Sequence, residues 1–294
     1  MRITSQMIFD QARAQVATAR ERANDAQNQV TTGIRVVHPG DDPAAAGRMV
    51  SQHIAIQRFE VTDKSIASAT GELETADGAL QSVSTLLARA QQLAVQLGND
   101  TYGLTERQAG AQEIGSITKQ ISQLMNTQVA GRFIFGGNVD NAPPFDSAGT
   151  YTGDAGVRQV EVAPGLRQNA SIRGDQVAKG TGGGVDIFAV LNTLATALSN
   201  NDGNNIRGAV AGVSQSTDQV AAALTTTGSM MSALDSAKTI GTVAKESTQK
   251  VLTAVSEVDI FEAASNLAQA QQSLEATLSA SARSFSTNLL DYLK

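Results

Sequence analysis

The chain of 294 residues contains no cysteine and no tryptophan, and only 4% of its residues are aromatic. Without thiols there can be no disulfides, no thiolate zinc sites and no cysteine nucleophile. With few bulky rings, the side chains that bury most area in a globular core are scarce, so thin helical layers packed through alanine are expected. Long apolar runs are missing too. Residues 220–224 are among the longest, whereas a membrane-spanning helix needs about 20 apolar residues. Basic charge is also in deficit: 22 Lys and Arg stand against 28 Asp and Glu, a net charge of −6. That balance gives no general attraction to phosphate backbones or anionic lipid, so neither nucleic acid nor membrane insertion is expected. The first ten residues lack the charged start, apolar stretch and small-residue site of a cleaved secretory signal.

Proline is confined. All five prolines, at positions 39, 43, 143, 144 and 164, lie before residue 165 and leave two long proline-free tracts. Long helices are permitted in both. Glycine is uneven as well: twelve of 26 lie within residues 131–184, beside Phe133, Phe135, Phe145 and Tyr151, and that window reads as a β-type insert. Arg132 to Phe135, Thr150 to Thr152 and Val157 to Val162 are strand candidates, with a turn at Pro164-Gly165.

Spacing argues that the rest is helical. Phe9, Ala12, Val16, Ala19, Ala23, Ala26 and Val30 recur in steps of three and four and form one stripe. Leu73, Ala76, Leu80, Val83, Leu87, Ala90, Ala94 and Leu97 repeat the rule, and Ile114, Ile117, Ile121 and Leu124 resume it after a glycine-containing loop, which predicts an antiparallel hairpin. Ile187, Val190, Leu191, Leu194 and Leu198 predict a short amphipathic helix. Heptads then return at Ile206, Val210, Val213, Thr217, Val220, Leu224, Thr227, Met231 and Leu234, and again at Ile260, Ala264, Leu267, Gln271, Leu274, Leu278, Ser281 and Phe285. In the turn His38-Pro39-Gly40-Asp41-Asp42-Pro43, Asp42 can cap the next helix and Pro43 suits its first position. Asp259 with Glu262 three residues later is placed to cap the last helix.

The expected fold is therefore mainly α: a long antiparallel helical bundle with coiled-coil terminal helices and a small β-rich insert. Residues 1–44 and 256–294 read as a two-helix stalk, 45–130 and 185–255 as the bundle, and 131–184 as the outer insert. Four of the seven seam residues of the first helix are alanine, so pairing with one partner removes little apolar area from water. Isolated helices also face an unfavourable nucleation step. The ends are thus expected to order fully only when neighbouring copies close around them.

Chemistry is hard to assemble from these residues. His38 and His53 are the only histidines, and no Gly-x-Ser-x-Gly elbow accompanies them. Residues 179–184 have the glycines of a phosphate cradle without the Gly-Lys-Ser/Thr that completes one. Glu257, Asp259 and Glu262 are explained by helix capping and the helix dipole. With no nucleophile–base pair, cofactor motif or metal cluster, an enzyme is not expected.

Several ordered motifs resemble the flagellin superfamily, and more closely its hook-associated protein 3 branch, the hook–filament junction proteins. They are the opening Met1-Arg2-Ile3-Thr4-Ser5-Gln6-Met7; Thr32-Gly33-Ile34-Arg35 followed by Asp41-Asp42-Pro43-Ala44-Ala45-Ala46; and Gly131-Arg132-Phe133-Ile134-Phe135-Gly136-Gly137 with Pro144-Phe145. Glu257-Val258-Asp259-Ile260-Phe261-Glu262-Ala263, residues 267–276, and Leu289-Leu290-Asp291-Tyr292-Leu293 complete the series. Pro43 resembles the junction branch more than filament flagellins, and Gln271 and Ser281 depart from an apolar terminal seam.

The resemblance implies a structural adaptor joining the flagellar hook to the filament, extracellular and exported by the flagellar type III apparatus without a cleaved signal. Its implied partners are other copies of itself in a ring, hook-associated protein 1, flagellin and a flagellar export chaperone. Gly33, Arg35, Asp41, Asp42 and Pro43 would set a joint between stalk and bundle. Phe9, Val16, Val30, Leu267, Leu274, Leu278, Phe285, Leu289, Leu290, Tyr292 and Leu293 would form the assembly seam. A filament-forming flagellin and a coiled-coil scaffold or signalling module stand as alternatives.

Overall fold

The computed structural model describes the backbone of residues 5–292 and the side chains of Met7 and residues 9–283. Seven helices and four short strands follow one another as α1 (Ser5–Thr32), α2 (Pro43–Leu97), α3 (Leu104–Met125), β1 (Gln128–Val129), β2 (Arg132–Phe133), β3 (Gln159–Ala163), β4 (Leu166–Asn169), α4 (Gly174–Lys179), α5 (Ile187–Ser199), α6 (Gly203–Ser256) and α7 (Ile260–Tyr292). No helix among the described residues is long and apolar enough to cross a membrane. The chain divides into two compact units, Met1–Arg58 with Ala244–Lys294, and Phe59–Val243.

The larger unit holds the principal core. Every residue of the predicted α2 stripe, from Leu73 to Leu97 in heptad steps, is buried, as are Ile114, Ile117 and Ile121 of α3. Leu97 lies against Gly110, while Arg89 donates to Glu113 at 2.7 Å. Later α3 residues thus meet earlier α2 residues, as an antiparallel hairpin requires. Along α6 the heptad splits: Ile206, Val213, Val220, Thr227 and Leu234 are fully buried, while the intervening Val210, Leu224 and Met231 are only half-buried. One residue per seven therefore points into the core, and the next flanks it.

Residues 131–184 contain less strand than their composition suggests. Two antiparallel pairs form, β1 with β2 and β3 with β4. Ala130 (φ 52°) and Gly131 (φ 79°) make the two-residue turn of the first, the positive-φ geometry that matches strand twist. Pro164-Gly165 turns the second, opposite the pair Ala163 and Leu166. The expected strand at residues 150–152 is reduced to one bridge, Phe145 with Tyr151. The backbone bonds of that bridge, Asp146 N to Thr150 O and Thr152 N to Pro144 O, are reinforced by side chains: Asp146 Oδ1 accepts from the amides of Ala148 and Thr150, and Asn126 exchanges two hydrogen bonds with the backbone of Phe145. The short α4, between the second hairpin and the glycine run, carries no periodic signal long enough to be read beforehand.

Aromatic residues tie this segment to the helices. The Phe145 ring lies 5.2 Å from Tyr151 and 5.5 Å from Phe188 of α5. Tyr151 donates to the carbonyl of Asp154 at 2.8 Å, and burial, then Asp175 and Asp154, push its hydroxyl up to about 12. Gly149, at φ +78°, lies directly against Phe188, and a Cβ there would overlap the ring. Gly149→Ala is therefore expected to cost about 2–4 kcal/mol, combining left-handed backbone strain with overpacking. Urea denaturation checks this; a loss below about 1 kcal/mol would show that Phe188 yields freely.

Candidate functional site: the joint and the terminal helix pair

In the smaller unit, α1 ends because Gly33 adopts φ +70°, a conformation costly for side chains with a Cβ. Its amide returns to Gln29 O at 2.8 Å. The chain then runs extended beside the break between α6 and α7. Arg35 N donates to Ser256 O at 2.7 Å, Val258 N donates to Gly33 O at 3.0 Å, and Ile34 bridges Glu257. Segments more than 200 residues apart in sequence are thereby joined by backbone hydrogen bonds, which no side-chain pattern announces.

The predicted joint residues meet here. Arg35 places both terminal guanidinium nitrogens 3.1 Å from Asp42 Oδ2 and reaches Val255 O at 3.3 Å. The other Asp42 oxygen accepts from Ala45 N at 3.0 Å and caps α2, whose first residue is Pro43. Asp41 acts locally, accepting from the amides of Val37 and His38 at 3.2 and 2.8 Å. Asp42 thus ties the α2 cap to Arg35, and through Arg35 to the end of α6. Asp259 accepts from Phe261 N at 2.8 Å and Glu262 N at 3.4 Å, satisfying free amides at the start of α7. No cluster of potential metal ligands occurs among the described residues.

The Ala45 amide first, and then Arg35, hold the Asp42 carboxyl below its ordinary value of 3.8. A depressed folded pKa means that the interaction stabilises the fold above the unfolded value and is lost as pH falls through the folded one. Amide exchange at Ala45 is therefore expected to accelerate on acidification below about pH 4 beyond the intrinsic trend. Asp42→Asn should flatten that response; an unchanged profile in the variant would assign the effect elsewhere.

Beyond the joint, α1 packs against α7. The contact side of α1 is the small one: Ala12, Ala19, Ala23 and Ala26 are buried. Val16, Val30, Leu267 and Leu274 are half-buried. Phe9 remains 50% and Leu278 48% exposed, with Ile260 and Phe261 also in solvent. The stripe predicted for assembly is thus only partly consumed within one chain. Phe285, Leu289, Leu290, Tyr292 and Leu293 lie outside the residues whose side chains are described.

A long helix thus leads through a glycine-ended joint into a second helix, with α1 paired to α7. The bacterial flagellin N-terminal helical region matches residues 3–140. Flagellar hook-associated protein 3 of Salmonella typhimurium is 30% identical over 224 residues, 70% of this chain and 69% of that protein. A flagellin from Listeria monocytogenes is 27% identical over 68% of this chain and 66% of its own. The crystal structure of Bacillus cereus FlgL superposes with a TM-score of 0.57 at 29% identity, covering 68% of this chain and 99% of that one. The chain belongs to the flagellar hook-associated protein 3 family.

Proposed function

We propose that this protein joins the flagellar hook to the filament as a structural adaptor, assembling through its paired terminal helices. The observation that carries the mechanism is the alanine-buried, Phe- and Leu-exposed pairing of α1 with α7. Alanine contacts let two helices approach closely but bury little area, whereas Phe9 and Leu278 are about half exposed, and covering the remaining apolar surface of each is worth about 1 kcal/mol. Neighbouring copies supply that burial. The Arg35–Asp42–Val255 contacts hold the stem of this helix pair to the start of α2 and the end of α6.

In this role the protein performs no catalysis. Its partners are copies of itself, hook-associated protein 1 on the hook side and flagellin on the filament side, with a chaperone during export through the flagellar type III apparatus. The decisive experiment adds purified protein to isolated hooks and images their ends. A short terminal cap that stops growing is expected. Unlimited filaments from the protein alone would instead assign it as a flagellin, and bare hook ends with soluble, monomeric protein would defeat the adaptor reading.

A further inference from the structure

In the larger unit, the two hairpins and α2 bring four cations to one cleft. Glu72 of α2 is buried, its Oε1 2.5 Å from Arg132 Nη2 and its Oε2 2.5 Å from Arg158 Nη2. One carboxylate is therefore divided between two guanidiniums, each of which could alone engage both oxygens. Asp140 lies 3.9 Å from Arg132 and adds a weaker counter-charge. Above them opens a cleft of about 720 Å³, lined also by Lys64 and Arg167. Glu161 stands directly opposite Arg167 across the second hairpin, so against Glu72, Asp140 and Glu161 the four cations leave a surplus of one positive charge. Beneath the cleft, Arg158 Nε is buried and has no acceptor among the described residues. Buried donors are almost always satisfied, so Arg158 is left one acceptor short where it underlies the cleft.

We propose that the cleft binds a multivalent oxyanion, the chemistry shared by a free di- or trianion and by paired carboxylate side chains from a second copy of this chain. The cleft keeps a positive surplus, and both hairpins present guanidiniums whose planar forks suit two-oxygen acceptors. A second copy is a chemically suitable source because the chain as a whole is acidic, at −6. The site is independent of the terminal helices.

The test compares the full chain with the rim variant Lys64→Gln/Arg167→Gln, whose substituted residues are exposed. Thermal unfolding is followed in sodium sulfate and in sodium chloride at matched ionic strength. At about ten times its Kd, sulfate should raise the wild-type midpoint by roughly 3–6 °C more than the variant's, the variant keeping only the general effect of a strongly hydrated salt. An equal rise in both proteins overturns the proposal. A second readout, the Nε–H resonance of Arg158 assigned with Arg158→Lys, should shift saturably with sulfate; an unmoved resonance also overturns it.

Sedimentation at low salt separates the two sources. Carboxylates from a second copy predict a wild-type oligomer that sulfate dissociates and that the rim variant cannot form. A free anion predicts binding to the monomer with no change in association. Hook-end decoration is a separate readout, so loss of the adaptor reading and loss of the anion site remain distinguishable.

Discussion

Arg107→Ala is expected to destabilise the larger unit by about 3–5 kcal/mol, since it removes several hydrogen bonds from one buried cation, each worth about 1.5–3 kcal/mol. Arg107 is only 5% exposed. Its Nε donates to Leu97 O at 2.9 Å, Nη1 to Asn201 Oδ1 and O at 2.7 and 3.2 Å, and Nη2 to Asn99 O at 3.1 Å. One guanidinium thereby closes the end of α2, the loop into α3 and the turn between α5 and α6. Alanine would leave those carbonyls without their shared donor, and water would have to enter a packed site to replace it. The corresponding fall in midpoint is roughly 6–20 °C for a unit of this size. Arg89→Ala is the control: its bond to Glu113 is similarly short, at 2.7 Å, but both side chains are largely exposed, and such a pair is worth about 0–1 kcal/mol. Amide exchange across α3 and α5 measures both variants without requiring the whole chain to unfold in one step. Equal effects would mean that burial of Arg107 carries no special weight.

Arg107 also marks where sequence reading stops. The heptads of α2, α3 and α6 were legible because an apolar stripe on a long helix must be covered, and the buried residues repeat at the expected spacing. No stripe records a guanidinium whose partners are mostly backbone carbonyls. The same limit applies to residues 131–184. Glycine and aromatic density located the segment, but its chain path depends on Asn126, Asp146 and Phe188, side-chain contacts with no repeat to betray them. Thr150 to Thr152 has β-favouring composition and still forms only one bridge: Thr152 N donates to Pro144 O and Asp146 N to Thr150 O, while the Thr150 amide turns to the Asp146 side chain and the ladder goes no further.

At the joint, half of the geometry was readable. Asp42 before Pro43 is a local helix-start signal, and the structure places Asp42 as the cap of α2. The other half, Gly33 and Arg35 against Val255, Ser256 and Val258, joins distant stretches through main-chain atoms. The two helix breaks, after α1 and before α7, were legible, but the contact between them was not. The basic cleft was not legible at all: Lys64, Arg132, Arg158 and Arg167 are scattered along the chain, and one helix with two hairpins gathers them.

Deleting residues 285–294 should abolish decoration of hook ends while leaving the unfolding midpoint of the larger unit within about 1 °C of wild type, inside the usual range for changes remote from a packed core. The core from Ile66 to Leu234 draws none of its buried residues from either terminal helix, so the deletion removes nothing from it. The deleted segment carries Phe285, Leu289, Leu290, Tyr292 and Leu293, an apolar density that the alanine-rich seam of α1 does not match. An alanine-rich seam offers a segment of that composition little apolar area to bury against, and association of further copies supplies more. The loss should therefore be cooperative: in the proposed ring of copies, each missing side chain weakens contacts to several neighbours. Leu278→Ala, at a half-exposed position, should weaken decoration without abolishing it. Calorimetry and electron microscopy of the same preparations read the two effects separately. If the larger unit's transition disappeared together with assembly, the terminal helix would be part of the fold's foundation and not a detachable element of assembly.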